Sequence, residues 1–218
     1  MRPRIVVVAK APVPGRCKTR LCPPFDLEAA ALVARAALED TLEAVAQAST
    51  DGSAPLLALD GEPGPWLRPG FDVVPQLGTG LDERLAAAFE AADGPALLIG
   101  MDTPQVTAPL LSRATLLLEQ PDVDAVFGPA FDGGWWALGL KQPDPDVLLG
   151  IPMSTPWTGL AQTERLRARG LRTTMLSTLQ DVDRFSDALA VARLAPRSRF
   201  ASEVRRCLRA LVPAGVAS

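Results

Sequence analysis

The strongest constraint on the fold is a repeated alternation of short, wholly apolar runs with longer segments of helical periodicity. Residues 5–9, 56–59 and 96–99 are such runs, and their length is typical of strands buried on both faces of a parallel sheet. Parallel neighbours need long connections, and the helical segments supply them as right-handed crossovers. We therefore expect an α/β fold, a three-layer α/β/α architecture with a mainly parallel sheet.

Periodicity and turn residues also locate the individual elements. Strands are predicted at 5–9, 55–59, 72–75, 95–100, 124–128, 134–140 and 173–176, and helices at 27–48, 81–92, 108–119, 159–169, from 186 and at 198–211. Asp26 and Thr107 are suitable helix caps. The buried face of the first helix is predicted to carry Leu32, Leu38, Leu42 and Val45. One domain is expected over 1–218, with a helical tail at 198–218 that packs on the core or, alternatively, serves a homodimer.

A cluster of cations follows the first strand. Its members are Lys10, Arg16, Lys18 and Arg20. Pro12 and Pro14 end the strand, and Gly15, which has no Cβ, lets the backbone approach another group closely. Cations confined to one loop repel each other unless an anion lies among them, and open α/β sheets bind ligands at the carboxyl ends of their strands. The pattern favours a phosphate-binding loop over a solvated basic loop.

Asp102 follows the strand predicted at 95–100 and should therefore reach the same edge of the sheet. Because Asp-Thr-Pro is also a common turn sequence, a capping or turn role is the alternative. An oxygen ligand opposite a cationic loop suits Mg²⁺ or Mn²⁺ bridging diphosphate oxygens. A metal-binding carboxylate beside a phosphate site indicates that a phosphate bond is made or broken there.

Two later segments add carboxylates to this edge. Asp132 begins an Asp-Gly-Gly turn before Trp135 and Trp136, whose rings offer stacking surface for a sugar or a base. A plain turn and a binding site are equally compatible with that sequence. Asp181 and Asp183 follow the last predicted strand. One is a candidate metal ligand and the other a candidate helix cap, and their spacing does not assign the roles.

Composition excludes several classes of function. The 218 residues contain no histidine, which removes Ser-His-Asp and Cys-His catalysis and histidine-ligated zinc. A formal charge of −3 argues against general nucleic-acid binding. No apolar run approaches the roughly 20 residues that span a membrane, so we expect a cytoplasmic protein. The three cysteines are expected to be reduced thiols. Two neighbouring cations would lower the pKa of Cys17, but no base partner is evident.

Five motifs occur in order between residue 5 and about residue 192. They are Ala-Lys-x-Pro-x-Pro-Gly-x-x-Lys-Thr-Arg-Leu from Ala9, Gln-x-Gly-x-x-Leu-x-Glu-Arg-Leu from Gln76, Gly-x-Asp-x-Pro from Gly100, Gly-Pro-Ala-x-Asp-Gly-Gly from Gly128 and Asp-Val-Asp from Asp181. In these motifs the chain resembles the bacterial glycosyltransferase-like family, also labelled selenodomain-associated or arsenosugar-biosynthesis transferases. It is similar to 2-phospholactate guanylyltransferases and, more distantly, to GT-A nucleotide-diphospho-sugar transferases.

The resemblance implies a GT-A, Rossmann-like fold with a nucleotide site. It implies that the loop cations contact the nucleotide phosphates and that Asp102 and Asp183 bind Mg²⁺ or Mn²⁺. With the motif residues added, the candidate nucleotide-binding residues are Ala9, Lys10, Pro14, Gly15, Arg16, Lys18, Arg20, Gln76, Gly78, Arg84, Asp102, Gly133 and Trp135. The candidate catalytic residues are Asp102, Asp132 and Lys18. The chain departs from the family pattern at Asp82, Trp135-Trp136, Met153 and Arg184-Phe185. These positions lie near the expected acceptor side and second metal ligand, so the acceptor is left open.

We expect a metal-dependent transferase that moves a sugar from a nucleoside diphosphate-sugar to a small acceptor. Because the chain has no histidine, a carboxylate would act as the base, and Asp132 is the candidate. The alternative is a nucleotidyltransferase, which would couple a nucleoside triphosphate to a phosphorylated small molecule and release pyrophosphate. In that case Lys18 and Arg20 would hold the β- and γ-phosphates. A second alternative is a non-catalytic nucleotide-binding protein.

Overall fold

A seven-stranded sheet forms the centre of the computed structural model, which describes residues 2–49 and 54–211. Over those residues the strands are β1 Arg4–Lys10, β2 Leu56–Asp60, β3 Asp72–Pro75, β4 Ala96–Gly100, β5 Ala125–Pro129, β6 Trp135–Leu140 and β7 Thr173–Met175. Their order across the sheet is β3-β2-β1-β4-β6-β5-β7. Each of them overlaps a strand predicted from the sequence.

One strand of the described sheet runs against its neighbours. β6 is antiparallel to β4 and β5, while the other adjacent pairs are parallel. β5 and β6 follow each other across the short turn at 130–134, and a connection that short can only reverse the chain. The mainly parallel sheet is therefore confirmed. The carboxyl ends of all strands except β6, and the amino end of β6, meet at one edge, which we call the carboxyl edge.

The described residues also form six α-helices. They are α1 Leu27–Ala48, α2 Leu81–Glu90, α3 Ala108–Glu119, α4 Thr158–Ala168, α5 Phe185–Leu194 and α6 Arg199–Leu211. The predicted caps are confirmed: Asp26 accepts a hydrogen bond from the Ala29 amide at 2.7 Å, and Thr107 accepts one from the Leu110 amide at 3.4 Å. None of these helices combines the length and the apolar character that crossing a bilayer requires.

The central strands are buried on both sides because consecutive side chains point to opposite faces of a sheet. On one face, Val7 and Ile99 pack with apolar residues of α1 and α3. On the other, Val6 and Leu98 pack with residues of α2, including Phe89. All five side chains are at most 2% exposed. Burial on both faces explains why these runs are continuously apolar rather than alternating.

One predicted core position of α1 is wrong. Leu38, Leu42 and Val45 are fully buried, but Leu32 is 39% exposed. A helix turns by about 100° per residue, so Leu32 lies roughly 120° around the axis from Leu38. Alanines of α1, among them Ala34, occupy the neighbouring buried positions instead. Small side chains thus bring α1 close to the sheet, and a leucine at position 32 remains at the surface.

The C-terminal helix packs on the core, as predicted for the tail. Phe200, Val204 and Cys207 of α6 are buried in a cluster with residues of α1. Asp40 of α1 accepts hydrogen bonds from the amides of Arg199 at 3.1 Å and Phe200 at 2.8 Å, which are otherwise unpaired groups of the first turn of α6. A side chain from another helix therefore caps α6. Residues 212–218 of the predicted tail lie outside the described residues.

We predict that Asp40→Ala lowers the free energy of unfolding by about 1–3 kcal/mol, because it leaves two amides of α6 without their partner in a half-buried environment. Urea denaturation followed by circular dichroism would measure the change. The matched control is Asp122→Ala, which removes a carboxylate from an exposed turn and should stay within about 0.5 kcal/mol. Equal effects of the two substitutions would contradict the capping role.

Candidate active site

A cleft of about 570 Å³ opens at the carboxyl edge, and we call it the cationic cleft. Its charged lining comprises Lys10, Arg16, Lys18, Arg20, Arg84, Asp102 and Asp183. The loop after β1, the end of β4, the first turns of α2 and the segment after β7 supply these side chains. The fold thus brings together, from segments far apart in sequence, the predicted loop cations and both carboxylates predicted as metal ligands.

Lys18 is the most deeply placed cation of this cleft. Its side chain is 11% exposed, and its Nζ lies 2.5 Å from Asp102 Oδ1. The same ammonium donates a hydrogen bond to the Val182 carbonyl oxygen, and the Val182 amide donates to the Asp102 carbonyl at 2.8 Å. Lys18 therefore connects the loop after β1, the end of β4 and the segment after β7, and it fixes the position of the Asp102 carboxylate.

Arg20 makes the second ion pair between a predicted cation and a predicted metal ligand. Its Nη1 lies 2.6 Å from Asp183 Oδ2, and both side chains are largely open to solvent, 69% and 42% exposed. An exposed pair of this kind contributes little to stability and can exchange partners readily. Arg20 is thus available to a ligand, whereas Lys18 is held by two protein groups.

Asp60, at the end of β2, is a site residue that sequence reasoning missed. Three cations surround its carboxylate: Arg84 at 3.5 Å, Lys10 at 3.7 Å and Arg16 at 4.0 Å. These separations are longer than those of close ion pairs, which leaves the cations free to reorient. A signal was present in the sequence, since Asp60 ends an apolar run in the same way that Asp102 follows one.

The other predicted nucleotide-binding residues divide into two groups. Gln76 lines the cleft, and its amide donates to the carbonyls of Ala9 at 2.8 Å and Ala58 at 3.1 Å, so it also closes the end of the sheet. Ala9 lies at the same place in the cleft wall. By contrast, the cleft lining does not include Pro14, Gly15 or Gly78. Gly78 instead supports Arg84, whose Nε donates to the Gly78 carbonyl at 3.2 Å.

A second, smaller cavity of about 250 Å³ adjoins the cationic cleft, and we call it the acidic pocket. Asp102 borders both cavities. Asp132 and Asp181 also line the acidic pocket, together with Trp135 and Trp136. Asp102 thus stands between a cationic compartment and an acidic one.

The Asp-Gly-Gly sequence is both a turn and a wall of this pocket. Asp132 Oδ1 accepts a hydrogen bond from the Gly134 amide at 2.7 Å. Gly133 has φ +89°, and a Cβ there would lie 2.1 Å from the Pro156 carbonyl oxygen. The Gly159 amide donates to the Gly133 carbonyl at 2.8 Å. Only glycine can come this close to Pro156. Gly133 therefore packs the turn against the start of α4, and it does not line the acidic pocket.

The structure separates the two aspartates that the sequence left unassigned. Asp183 lines the cationic cleft and Asp181 the acidic pocket. Burial raises the pKa of Asp181 to about 6, and the nearby negative charges of Asp132 and Asp102 add to the effect. Neither aspartate caps α5, so that expectation is wrong. Asp187 does so, accepting from the Arg184 amide at 2.7 Å.

The donor set for a divalent metal is small. Within residues 2–49 and 54–211, no group of three or more histidine, cysteine, aspartate or glutamate side chains is placed to hold a metal ion. Asp102 and Asp183 line one cleft but do not form a complete cage. Mg²⁺ usually takes one or two carboxylates and completes its shell with water and substrate phosphates. Two carboxylates among cations therefore fit a metal that binds together with a nucleotide.

The lowered pKa that the neighbouring cations suggested for Cys17 is not found. Burial raises the pKa of Cys17, and this outweighs the opposing effect of the Lys18 charge. The sequence showed the adjacent cations but not that the sulfur faces the core.

A family model described as "Uncharacterized protein conserved in bacteria (DUF2064)" matches residues 32–155. The chain belongs to this family. The narrower resemblance to selenodomain-associated or arsenosugar-biosynthesis transferases stays a prediction. No curated protein matches the chain.

Solved structures show the same fold. A "putative nucleotide-diphospho-sugar transferase" from Desulfovibrio desulfuricans is 26% identical, with a TM-score of 0.85 over 97% of each chain. 2-C-methyl-D-erythritol 4-phosphate cytidylyltransferase from Thermus thermophilus is 17% identical, with a TM-score of 0.56 over 90% of this chain and 100% of that one. CMP:2-keto-3-deoxy-manno-octonic acid synthetase, complexed with CTP, is 11% identical, with a TM-score of 0.52 over 90% and 99%. The predicted nucleotide-diphospho-sugar transferase fold is confirmed.

We predict that Lys18→Met lowers the free energy of unfolding by about 1–3 kcal/mol, because the Val182 carbonyl and Asp102 lose the buried ammonium that they share. Arg20→Met is the matched control, since it removes an exposed partner of Asp183 and should cost less than about 1 kcal/mol. Chemical denaturation of both variants would measure the difference. If Arg20→Met cost as much as Lys18→Met, the buried connection would not be what holds this edge together.

Proposed function

We propose that the protein is a metal-dependent transferase that binds a nucleoside diphosphate-sugar and transfers the sugar to a small acceptor. The observation that carries the proposal is the composition of the cationic cleft, where five lysine and arginine side chains face Asp102 and Asp183 at the carboxyl edge. Ligands of open α/β sheets bind at this edge. Membership of a fold shared with nucleotidyltransferases and with a nucleotide-diphospho-sugar transferase supports a nucleotide as the ligand.

The ion pairs suggest how a diphosphate would enter. Lys10, Arg16 and Arg84 gather loosely around Asp60 at 3.5–4.0 Å. A phosphate carries more charge than one carboxylate and more acceptor oxygens, so it would compete well for these side chains. Arg20 would turn from Asp183 to the same anion. We propose that these four cations contact the diphosphate and that Lys18 acts as a positioning residue for Asp102.

Asp102 and Asp183 are the residues that would hold Mg²⁺ or Mn²⁺. When bound, such a metal would neutralise the charge that develops on the leaving diphosphate. The exposed halves of both carboxylates face the cleft that the phosphates would fill. Metal and phosphate binding should therefore reinforce one another. A metal on Asp183 would release Arg20 for the phosphates, and a phosphate on Arg20 would release Asp183 for the metal.

The acidic pocket is the proposed acceptor site, and Asp132 is the proposed base. The Gly134 amide holds Asp132 Oδ1, which fixes the carboxylate and leaves Oδ2 for an acceptor hydroxyl. With no histidine in the chain, a carboxylate is the natural group to take that proton. Asp132 and Asp102 line the same small cavity, so the acceptor and the metal-side carboxylate would be neighbours.

Nucleotidyl transfer is the second candidate, because the cytidylyltransferases share the fold. The two reactions differ in the donor. A thermal-shift panel of nucleoside diphosphates, triphosphates and nucleoside diphosphate-sugars, each with and without Mn²⁺, would separate them. We expect stabilisation by a nucleoside diphosphate-sugar with Mn²⁺ that exceeds stabilisation by the triphosphate. The reverse order would favour nucleotidyl transfer, and no shift with any nucleotide would refute both.

Asp102→Ala should remove the metal-dependent part of nucleotide binding. We expect the affinity measured by calorimetry in Mn²⁺ to fall at least about tenfold, to the value without metal, because a metal ligand is lost while the phosphate-binding cations remain. Circular dichroism would confirm that the variant is folded, and Asp122→Ala is the matched carboxylate control. Equal affinity of the unaltered protein with and without Mn²⁺ would show that Asp102 has no such role.

A further inference from the structure

We infer that the acidic pocket selects a small polyhydroxylated acceptor that is uncharged or carries an amine, and that it rejects acceptors bearing phosphate or carboxylate groups. The inference rests on the proposed function and specifies its acceptor class. It comes from the charge, the unpaired polar atoms and the walls of a cavity that is separate from the cationic cleft.

The charge of the pocket is of one sign. Asp102, Asp132 and Asp181 line it, and within the described ranges no lysine or arginine does. Lys18 lies behind Asp102 and donates to that carboxylate and to the Val182 carbonyl. Among the described residues, neither Asp132 nor Asp181 forms an ion pair, although the Lys18 charge acts on Asp181 from a distance. An anionic substituent placed here would meet like charges over short distances in a partly enclosed space, where screening is weak. An amine or a hydroxyl group would meet acceptors.

Two residues that line this cavity carry buried polar atoms with no partner among the described residues. Thr103 is 2% exposed, and its hydroxyl makes no hydrogen bond. The indole Nε1 of Trp135 is likewise buried and unpaired. Buried donors are nearly always satisfied in native proteins. A ligand hydroxyl can both donate and accept, so it is the kind of group that would pair with either atom once its side chain turned toward the cavity.

The remaining walls suit the apolar face of a single sugar-like ring. Leu85, Leu98 and Met153 line the pocket beside the Trp135 ring. Its volume of about 250 Å³ lies below the range from about 300 Å³ upward that is typical of drug-sized ligands. The pocket is therefore too small for a second nucleotide. Carboxylates, unpaired hydroxyl and indole groups, and an aromatic wall together match a compact polyol.

The Trp135 indole gives a direct test by nuclear magnetic resonance. The chain has four tryptophans, and loss of one indole N–H peak in Trp135→Phe assigns the peak of Trp135. The probes are D-glucose, D-glucosamine and D-glucose 6-phosphate, which share one ring and differ in charge. We expect glucose and glucosamine to move the Trp135 peak saturably, and glucose 6-phosphate to bind at least about tenfold more weakly. The Trp66 and Trp157 peaks should stay in place, because those residues do not line the pocket.

Two variants make the cause explicit. In the double variant Asp132→Asn and Asp181→Asn, the ratio of the affinities for glucose and glucose 6-phosphate should fall at least about threefold. Asp122→Asn, which does not alter the pocket lining, should leave this ratio unchanged. Thr103→Val should weaken the binding of glucose, but glucose should still bind more tightly than glucose 6-phosphate. Binding of glucose 6-phosphate as tight as that of glucose, or no movement of the Trp135 peak by any probe, would overturn the inference.

These outcomes are independent of those that test the proposed function. The thermal-shift panel reports on the cationic cleft, and the indole peak reports on the acidic pocket. If nucleotides stabilise the protein while glucose 6-phosphate occupies the acidic pocket, the transferase proposal stands and the acceptor class is wrong. If no nucleotide binds, the transferase proposal fails regardless of the probes.

Discussion

The arrangement of this site depends on one buried ammonium. Lys18 reaches Asp102 and the Val182 carbonyl at once, and the Val182 amide returns a hydrogen bond to the Asp102 carbonyl. Three segments that leave the sheet at different strands are thereby held in register. The Lys18 side chain is only 11% exposed, although Asp102 is half open to solvent, whereas both members of the Arg20–Asp183 pair are exposed. The cleft and the pocket both take their shared wall from this connection.

Asp102 divides the carboxyl edge into two electrostatic compartments. On one side lie cations, three of them partnered only loosely around Asp60, and on the other lie carboxylates with unpaired polar neighbours. Charges of opposite sign in adjacent cavities can hold two different ligands side by side, one anionic and one hydroxyl-bearing. Group transfer requires this kind of juxtaposition, since the reacting atoms must approach without competing for the same contacts.

The antiparallel strand β6 supplies the acidic side. A fully parallel sheet would have placed a long crossover between β5 and β6, and the Asp-Gly-Gly turn would then not lie at the carboxyl edge. The close approach of Gly133 to Pro156 and Gly159 fixes that turn against α4. Two glycines and one reversed strand therefore position Asp132 and both pocket tryptophans.

The sequence by itself determined the strands, the helices, the caps at Asp26 and Thr107, and the meeting of Lys18 with Asp102 at one edge, because apolar periodicity and parallel topology follow from local composition. Tertiary structure alone decided that Asp60 gathers three cations and that Asp181 and Asp183 line different cavities. It also decided that Leu32 is exposed and that burial raises the pKa of Cys17. Those outcomes depend on which distant side chain lies opposite and how much water it excludes. The spacing of residues along the chain shows neither how deeply a side chain is buried nor which side chain from a distant segment it contacts.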